Sequence, residues 1–176
     1  TDHMIEKVQW AAKAARSCVE DRDATIVCAR TDAKGVDGFE AAIDRAAAYA
    51  LAGADMIFPE GLASEDEFAR FARAMAGVRC PARGDASGRG PYLLANMTEF
   101  GKTPMIPLSR FAEMGYSIVI YPVTLLRVAM GAVARALETL RVEGSAESLL
   151  RDMQSRQELY SLIEYSPGTP WEMPVR

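Results

Sequence analysis

The sequence is poor in the residues on which many catalytic and metal sites depend. Its 176 residues include a single histidine, His3, near the chain terminus, so a histidine-based triad or a histidine-rich zinc site is not expected. The three cysteines, Cys18, Cys28 and Cys80, are odd in number and lack C-x-x-C spacing. This favours reduced structural thiols over a disulfide framework and indicates a cytoplasmic protein.

Two further signals are missing. No apolar run approaches the roughly 20 residues that a membrane-spanning helix needs, and residues 1–10 form a charged amphipathic start rather than a signal peptide. The net charge is −4, without a basic stripe or an aromatic-plus-arginine cluster. We therefore expect neither a membrane nor a nucleic acid as a partner. The chain has the length of about one domain, and 49% of it is hydrophobic, which is enough to form a core.

What the sequence does contain is a regular alternation of helix-like and strand-like segments. Apolar residues recur at spacings of three and four in the helical segments and form short continuous runs in the strands. After an N-terminal helix with an apolar stripe from Ile5 to Val19, the predicted elements are strands at 25–32, 55–60, 92–99 and 117–122, and helices at 38–53, 64–75, 107–114, about 124–142 and about 146–163. This order predicts an α/β fold with four parallel strand–helix units, followed by C-terminal helices.

One segment interrupts the pattern. Residues 82–90 have no apolar side chain larger than alanine and lead into the third strand. A glycine-rich phosphate-binding loop leads into a helix instead, so we interpret this segment as an inserted loop on the face opposite the functional one. The predicted organisation is one domain over residues 1–165, with this insertion, and an irregular tail over residues 166–176.

Polar side chains stand at the ends of three of the four predicted strands. Arg30 ends the first strand, Glu60 ends the second, and Asn96, Thr98 and Glu99 end the third. The carboxyl ends of parallel strands lie at the same edge of a sheet, where α/β proteins bind their ligands. We therefore expect an arginine, a carboxylate and an amide–hydroxyl pair to converge at one site.

Each of these residues also has a purely structural interpretation. Arg30 could pair with Asp32, Glu60 could cap the following loop, and Asn96 could form a turn. As site residues, Arg30 would offer a fork for a carboxylate or phosphate, and Glu60 would hold a metal-bound water or act as a base. The shared placement at successive strand ends favours the site.

Gly101-Lys102-Thr103 matches the tail of a phosphate-binding loop. That motif needs a glycine five residues before Gly101, where Asn96 stands, and its Lys-Thr pair opens a helix rather than meeting Pro104. We therefore interpret the match as a coincidence.

Several segments together resemble a known family. The segments are ARTDA (29–33), IFPE (57–60), LANMTEFGKTP (94–104), IVIYPVTLLRVAM (118–130) and DMQSRQELY (152–160). In this order they closely resemble the 2-methylisocitrate lyase family of the isocitrate lyase/phosphoenolpyruvate mutase superfamily. NMTEFG is the most specific element, and the resemblance covers nearly the whole chain except residues 82–90 and about the last ten.

The resemblance implies a (β/α)8 TIM-type barrel in a tetramer, and a Mg²⁺-dependent lyase that cleaves methylisocitrate into pyruvate and succinate in propionate breakdown. Arg30 would bind the hydroxy-acid end of the substrate, and Glu60 would reach the metal through water. The succinate-like half would be held by Asn96, by the backbone of Met97 and by Thr98, Arg127 and Arg156.

The chain also departs from this family. It lacks the aspartate metal ligands and the catalytic-cysteine segment, K-[KR]-C-G-H, that the family carries in the first half of the barrel. We therefore predict the C-terminal half of such a barrel, without catalytic residues of its own and inactive alone, which associates with a missing N-terminal half or in a homo-oligomer. Two alternatives stay open. One is a sibling reaction (oxaloacetate decarboxylation, phosphonate cleavage or a dimethylmalate lyase), and the other is a non-catalytic remnant that only associates with full-length subunits.

Overall fold

The computed structural model describes residues 1–17, 25–83 and 90–170. It divides into two compact units, Thr1–Leu125 and Leu126–Arg176. The helices and strands, in chain order, are α1 (Asp2–Arg16), β1 (Cys28–Thr31), α2 (Ala33–Val36), α3 (Phe39–Leu51), β2 (Met56–Pro59), α4 (Glu65–Ala76), a 3₁₀ helix (Pro81–Arg83), β3 (Tyr92–Asn96), α5 (Leu108–Met114), β4 (Ile118–Ile120), α6 (Thr124–Glu143), a second 3₁₀ helix (Glu147–Asp152) and α7 (Arg156–Leu162).

The four strands form one sheet in the order β1-β2-β3-β4, and every neighbouring pair is parallel. Arg30 stands beside Phe58 in the first pair, and Asn96 stands beside Ile120 in the last. This confirms the predicted parallel strand–helix units. It also places the carboxyl ends of all four strands on one side of the sheet, and it leaves β1 and β4 as the two edges within the described residues.

Helix α4 shows how the sequence builds the helical layer. Ser64 caps the helix by accepting a hydrogen bond from the backbone N–H of Glu67, as its spacing from that glutamate predicts. The buried face carries Phe68, Phe71 and Met75, which recur every three or four residues and so lie on one side of the helix.

An aromatic cluster packs α4 against α5 and the start of β4. The rings of Phe68, Phe111 and Tyr116 meet edge to face, with centroids 5.1–5.5 Å apart, which is a favourable arrangement for aromatic rings. The Tyr116 hydroxyl donates a hydrogen bond to the Phe68 carbonyl at 3.3 Å. Burial raises the pKa of Tyr116 well above its ordinary value, so this phenol stays protonated.

One carboxylate connects the N-terminal helix to the sheet. Asp55, directly before β2, accepts a hydrogen bond from the Arg16 guanidinium at 2.5 Å and another from the Val27 backbone N–H at 2.8 Å. The side chains of Arg16 and Asp55 are only 24% and 11% exposed. Asp55 therefore fixes the end of α1 and the residues before β1 at the same point.

The insertion predicted at 82–90 is only partly described. Its first residues belong to the 3₁₀ helix Pro81–Arg83, and residues 84–89 lie outside the described residues. Gly90 is buried, and a Cβ built there would lie 1.9 Å from the Met75 carbonyl oxygen. Cys80 donates a hydrogen bond to the Ala54 carbonyl, just before β2. The described residues that flank the insertion thus lie on the amino-end side of the strands.

The sequence-based boundaries were wrong in several places. Strand β1 starts at Cys28 rather than at residue 25, and the short helix α2 was not predicted. Strand β3 ends at Asn96, so Thr98 lies in the loop that follows rather than in the strand. The single helix predicted over 146–163 is interrupted, because Met153 has extended backbone (ψ 143°) and Ser155 starts a new helix. Ser155 and Glu158 form a reciprocal capping box, a signal that is visible in the sequence and stops a helix from running through.

The second unit contains most of α6 and all of α7. Helix α6 has no buried residue, and Leu126, Val128 and Leu137 are each more than 60% exposed. Despite this apolar surface, the described part of the chain contains no helix with the length and hydropathy required to cross a membrane.

Candidate functional site

A pocket of about 430 Å³ lies at the carboxyl ends of the strands. Arg30, Glu60, Asn96 and Thr98 all line it, so the structure brings together the four polar residues that the sequence placed at strand ends. The complete lining consists of Arg30, Glu60, Gly61, Asn96, Thr98, Gly101, Lys102 and Thr103.

Arg30 is held by two carboxylates and a ring. Its Nε and Nη2 atoms donate to the two oxygens of Asp32 at 2.9 and 2.6 Å, its Nη1 lies 3.5 Å from Glu60 Oε2, and its guanidinium lies 5.1 Å from the centroid of Phe58. The hydrogen bonds between Arg30 and Asp32 raise the pKa of Arg30 and lower that of Asp32, so both remain charged. The structural interpretation of Arg30 as a partner of Asp32 is thus also correct.

Glu60 has one carboxylate oxygen without a hydrogen-bond donor. Its Oε2 atom is buried, and among the described residues none donates a hydrogen bond to it. The nearest cation, Arg30 Nη1, is 3.5 Å away, which is too long for a good hydrogen bond. Because a buried unsatisfied carboxylate oxygen is costly, this atom is the natural acceptor for a proton donor on a bound ligand or water.

The third strand contributes a pre-formed polar pair. Thr98 Oγ1 donates to Asn96 Oδ1 at 2.9 Å, which orients the amide of Asn96. Between them, Met97 is 1% exposed, and its backbone N–H donates to the Ile120 carbonyl at 2.9 Å. The buried Met97 therefore fixes the position of both polar neighbours.

The pocket also includes residues that the sequence reasoning set aside. Gly101, Lys102 and Thr103 line it beside the strand ends, and Thr103 Oγ1 donates to the Leu62 carbonyl at 2.5 Å. Rejecting a phosphate-binding loop was correct, since Lys102 and Thr103 open no helix. One sequence signal could have indicated their place in the pocket. Residues 101–103 directly follow the NMTEF segment, which contains the site residues Asn96 and Thr98.

The two remaining residues that the sequence analysis assigned to substrate binding, Arg127 and Arg156, belong to the second unit. Arg127 lies in α6 and Arg156 is the first residue of α7, whereas every residue that lines the pocket comes from the first unit. The substrate-binding role of Arg127 and Arg156 therefore stays a prediction.

The described residues do not supply a set of direct metal ligands. No group of three or more His, Cys, Asp or Glu side chains in residues 1–17, 25–83 and 90–170 is arranged to hold a metal ion. Divalent magnesium prefers six oxygen ligands, including several waters and one or two carboxylates. Glu60 fits only as an acceptor of a metal-bound water through its unpaired oxygen, and we derive no reaction step through a metal in this chain.

Comparison with known proteins identifies the family. The family model for phosphoenolpyruvate phosphomutase matches residues 1–141. The chain belongs to this family.

The similar curated proteins are lyases. The chain is 46% identical over 165 residues to the probable 2-methylisocitrate lyase 1 of Corynebacterium glutamicum, covering 94% of this chain and 48% of that protein. It is also 46% identical over 164 residues to the 2-methylisocitrate lyase of Aeropyrum pernix, covering 93% and 46%. The resemblance drawn from the sequence motifs is thus confirmed, and the chain spans about half the length of the curated relatives it matches.

Solved structures of the superfamily have the same fold over half their length. The crystal structure of 2,3-dimethylmalate lyase matches with a TM-score of 0.72 and 29% identity, covering 92% of this chain and 50% of that one. Phosphonopyruvate hydrolase, crystallised with oxalate and Mg²⁺, matches with a TM-score of 0.67 and 26% identity, covering 91% and 52%. The prediction of half a TIM-type barrel is confirmed at this level.

Proposed function

We propose that this chain forms the carboxylate-binding half of a carbon–carbon lyase of the 2-methylisocitrate lyase type. The observation that supports this most directly is the pocket at the strand ends, where Arg30, Glu60, Asn96 and Thr98 meet. It combines a guanidinium fork, a carboxylate with an unpaired oxygen, and an oriented amide. These groups match a substrate that carries carboxylates and a hydroxyl.

The proposed roles follow from the contacts of each side chain. Arg30 donates to the hydroxy-acid end of the substrate, in bidentate geometry once its fork turns from Asp32. Asn96 and Thr98, with the Met97 backbone, bind the succinate-like half. Fixed donors at a carboxylate on which charge develops during cleavage stabilise the transition state, because they need no reorganisation.

Glu60 acts through its unpaired Oε2 atom in this proposal. That oxygen would accept a hydrogen bond from the substrate hydroxyl or from a metal-bound water, and either donor would satisfy it. The proposed cofactor is Mg²⁺, supported by its presence in the crystallised phosphonopyruvate hydrolase. Its direct ligands must come from outside the described residues.

We further propose that the chain works in association with a complementary half-barrel or in a homo-oligomer, in the cytoplasm. The edge position of β1 and β4 supports this, since Ile26, two residues before β1, and Ile118 in β4 are 54% and 41% exposed. Apolar sheet edges with free backbone groups favour pairing with further strands. Within the described residues, Cys28 and Cys80 form no disulfide, as expected in a reducing compartment.

A sibling reaction is the second candidate. The match to 2,3-dimethylmalate lyase favours it, because half of that enzyme's chain has the fold of this one and dimethylmalate is a different hydroxy dicarboxylate.

The test is a pyruvate-release assay with Mg²⁺ on purified residues 1–176, alone and after co-expression with a family N-terminal half that carries the aspartates and the cysteine. We expect no turnover from the chain alone. The catalytic-cysteine segment, which this sequence lacks, would supply general acid catalysis, and acid–base catalysis contributes about 10²–10⁴-fold. Methylisocitrate and dimethylmalate are compared as substrates to separate the two candidates.

The complemented sample also tests the pocket. Arg30→Gln should lower kcat/KM about 10–100-fold, in line with the loss of charge-assisted hydrogen bonds. Arg45→Gln is the matched control, since Arg45 pairs with Asp37 at 2.5 Å outside the pocket. Turnover by the isolated chain, or equal effects of the two variants, would contradict the proposal. A complemented sample that stays inactive would favour the non-catalytic remnant.

A further inference from the structure

We propose that Lys102 is a specificity-determining residue of the pocket, and that its ammonium binds the second carboxylate of a dicarboxylate ligand. This inference rests on the proposed function, because it assumes that the pocket binds a carboxylate substrate. It adds a residue to which the sequence analysis gave no role in binding.

The position of Lys102 is fixed from both sides. On one side, buried Met97 is hydrogen-bonded to the Ile120 carbonyl. On the other, Thr103 Oγ1 donates to the Leu62 carbonyl at 2.5 Å, and Ile106 is 5% exposed. The loop that carries Lys102 is therefore attached to the core at both ends, which keeps its side chain at the mouth of the pocket.

The charges around the pocket explain why a second cation is needed. Arg30 faces two carboxylates, Asp32 in a bidentate pair and Glu60 at 3.5 Å. Its single positive charge is thus exceeded by the two negative ones, and an incoming anion would meet net negative charge. Lys102 is exposed and takes part in no ion pair among the described residues. Its charge remains available to the ligand and balances the group.

The two cations line the same pocket from two different segments of the chain, which suits a ligand with two carboxylates. Arg30 is on β1 and Lys102 follows β3, and β2 lies between these two strands. A monocarboxylate reaches only one of the two cations.

The test measures succinate and acetate binding to residues 1–176 by isothermal titration calorimetry. Lys102→Gln should weaken succinate binding about tenfold and leave acetate binding within about twofold. Lys102→Arg, which keeps the charge, should stay within about threefold of the unaltered chain. Lys7→Gln is the matched control, because Lys7 is exposed on α1. Thermal unfolding should be unchanged in all three variants, which excludes a merely structural role.

The outcomes separate this inference from the proposed function. If succinate binding is lost in Arg30→Gln but unchanged in Lys102→Gln, the role of Lys102 is refuted and the proposed function stands. If acetate and succinate binding fall equally in Lys102→Gln, the second-carboxylate assignment is wrong. Absence of succinate binding by the unaltered chain would overturn the inference about Lys102, whereas the complemented pyruvate-release assay decides the proposed function.

Discussion

Replacing Asp55 by alanine should be one of the most destabilising changes in the first unit. The substitution removes the acceptor of the Arg16 guanidinium at 2.5 Å and of the Val27 N–H at 2.8 Å. An orphaned buried N–H costs about 1–3 kcal/mol, and breaking a fully buried ion pair costs about 3–5 kcal/mol. Because the Arg16 side chain is 24% exposed, water replaces part of the lost pairing. We expect a total loss of about 3 kcal/mol.

The measurement is urea denaturation of residues 1–176 followed by far-ultraviolet circular dichroism. With a slope of about 2 kcal/mol per molar urea, the midpoint should fall by about 1.5 M. Asp55→Asn should lose less, about 1–2 kcal/mol, because its amide oxygen still accepts the Val27 N–H while the charge is gone.

Asp44→Ala is the matched control, since Asp44 is exposed on α3 and should change stability by less than about 0.5 kcal/mol. If Asp55→Ala costs no more than this control, Asp55 does not hold α1 and β1 together, and the reasoning is refuted.

Two further predictions concern acid stability and backbone packing. Burial raises the pKa of Glu67, but hydrogen bonds from Lys34 and a backbone N–H outweigh it and lower the pKa below its ordinary value. The contribution of Glu67 to the free energy of unfolding is therefore fully present above its unfolded pKa of about 4.3 and is lost as the pH falls through its folded pKa. Glu67→Gln should flatten this part of a stability–pH curve measured by denaturation. Gly90→Ala should lower the thermal midpoint by several degrees, because the new Cβ would lie 1.9 Å from the Met75 carbonyl oxygen, whereas the control Gly77→Ala has open space and should be neutral.

Each of these predictions has a clear contrary result. If the stability of Glu67→Gln falls with decreasing pH as steeply as that of the unaltered chain, then Lys34 and the backbone N–H do not favour the ionised form of Glu67. Equal thermal midpoints for Gly90→Ala and Gly77→Ala would show that the close approach at Gly90 is absent in solution.

Local sequence signals were sufficient for most elements of the first unit. The capping pair Ser64 and Glu67 and the apolar residues of α4 lie within one or two helical turns of each other, so the sequence displays them together. The same applies to the short apolar strands and to the polar residues Arg30, Glu60 and Asn96 at their ends. A missed local signal, the capping box at Ser155, explains the wrong helix over 146–163.

The sequence also determined which residues share an edge, because parallel strands in consecutive order bring their carboxyl ends together. It did not determine their partners. Arg30 faces both Asp32, two residues away, and Glu60, thirty residues away, and only the β1–β2 register of the folded sheet places the second carboxylate there.

The loop after β3 shows what only the tertiary structure decided. In the sequence, Lys102 and Thr103 belong to a segment that resembles the family and to an incomplete phosphate-binding motif, and neither pattern assigned them a contact. In the folded chain, Thr103 donates to the carbonyl of Leu62, which is 41 residues away, and this contact places Lys102 at the pocket. Contacts between distant residues depend on how the helices and strands pack, and the residues around position 102 do not by themselves indicate a contact with Leu62.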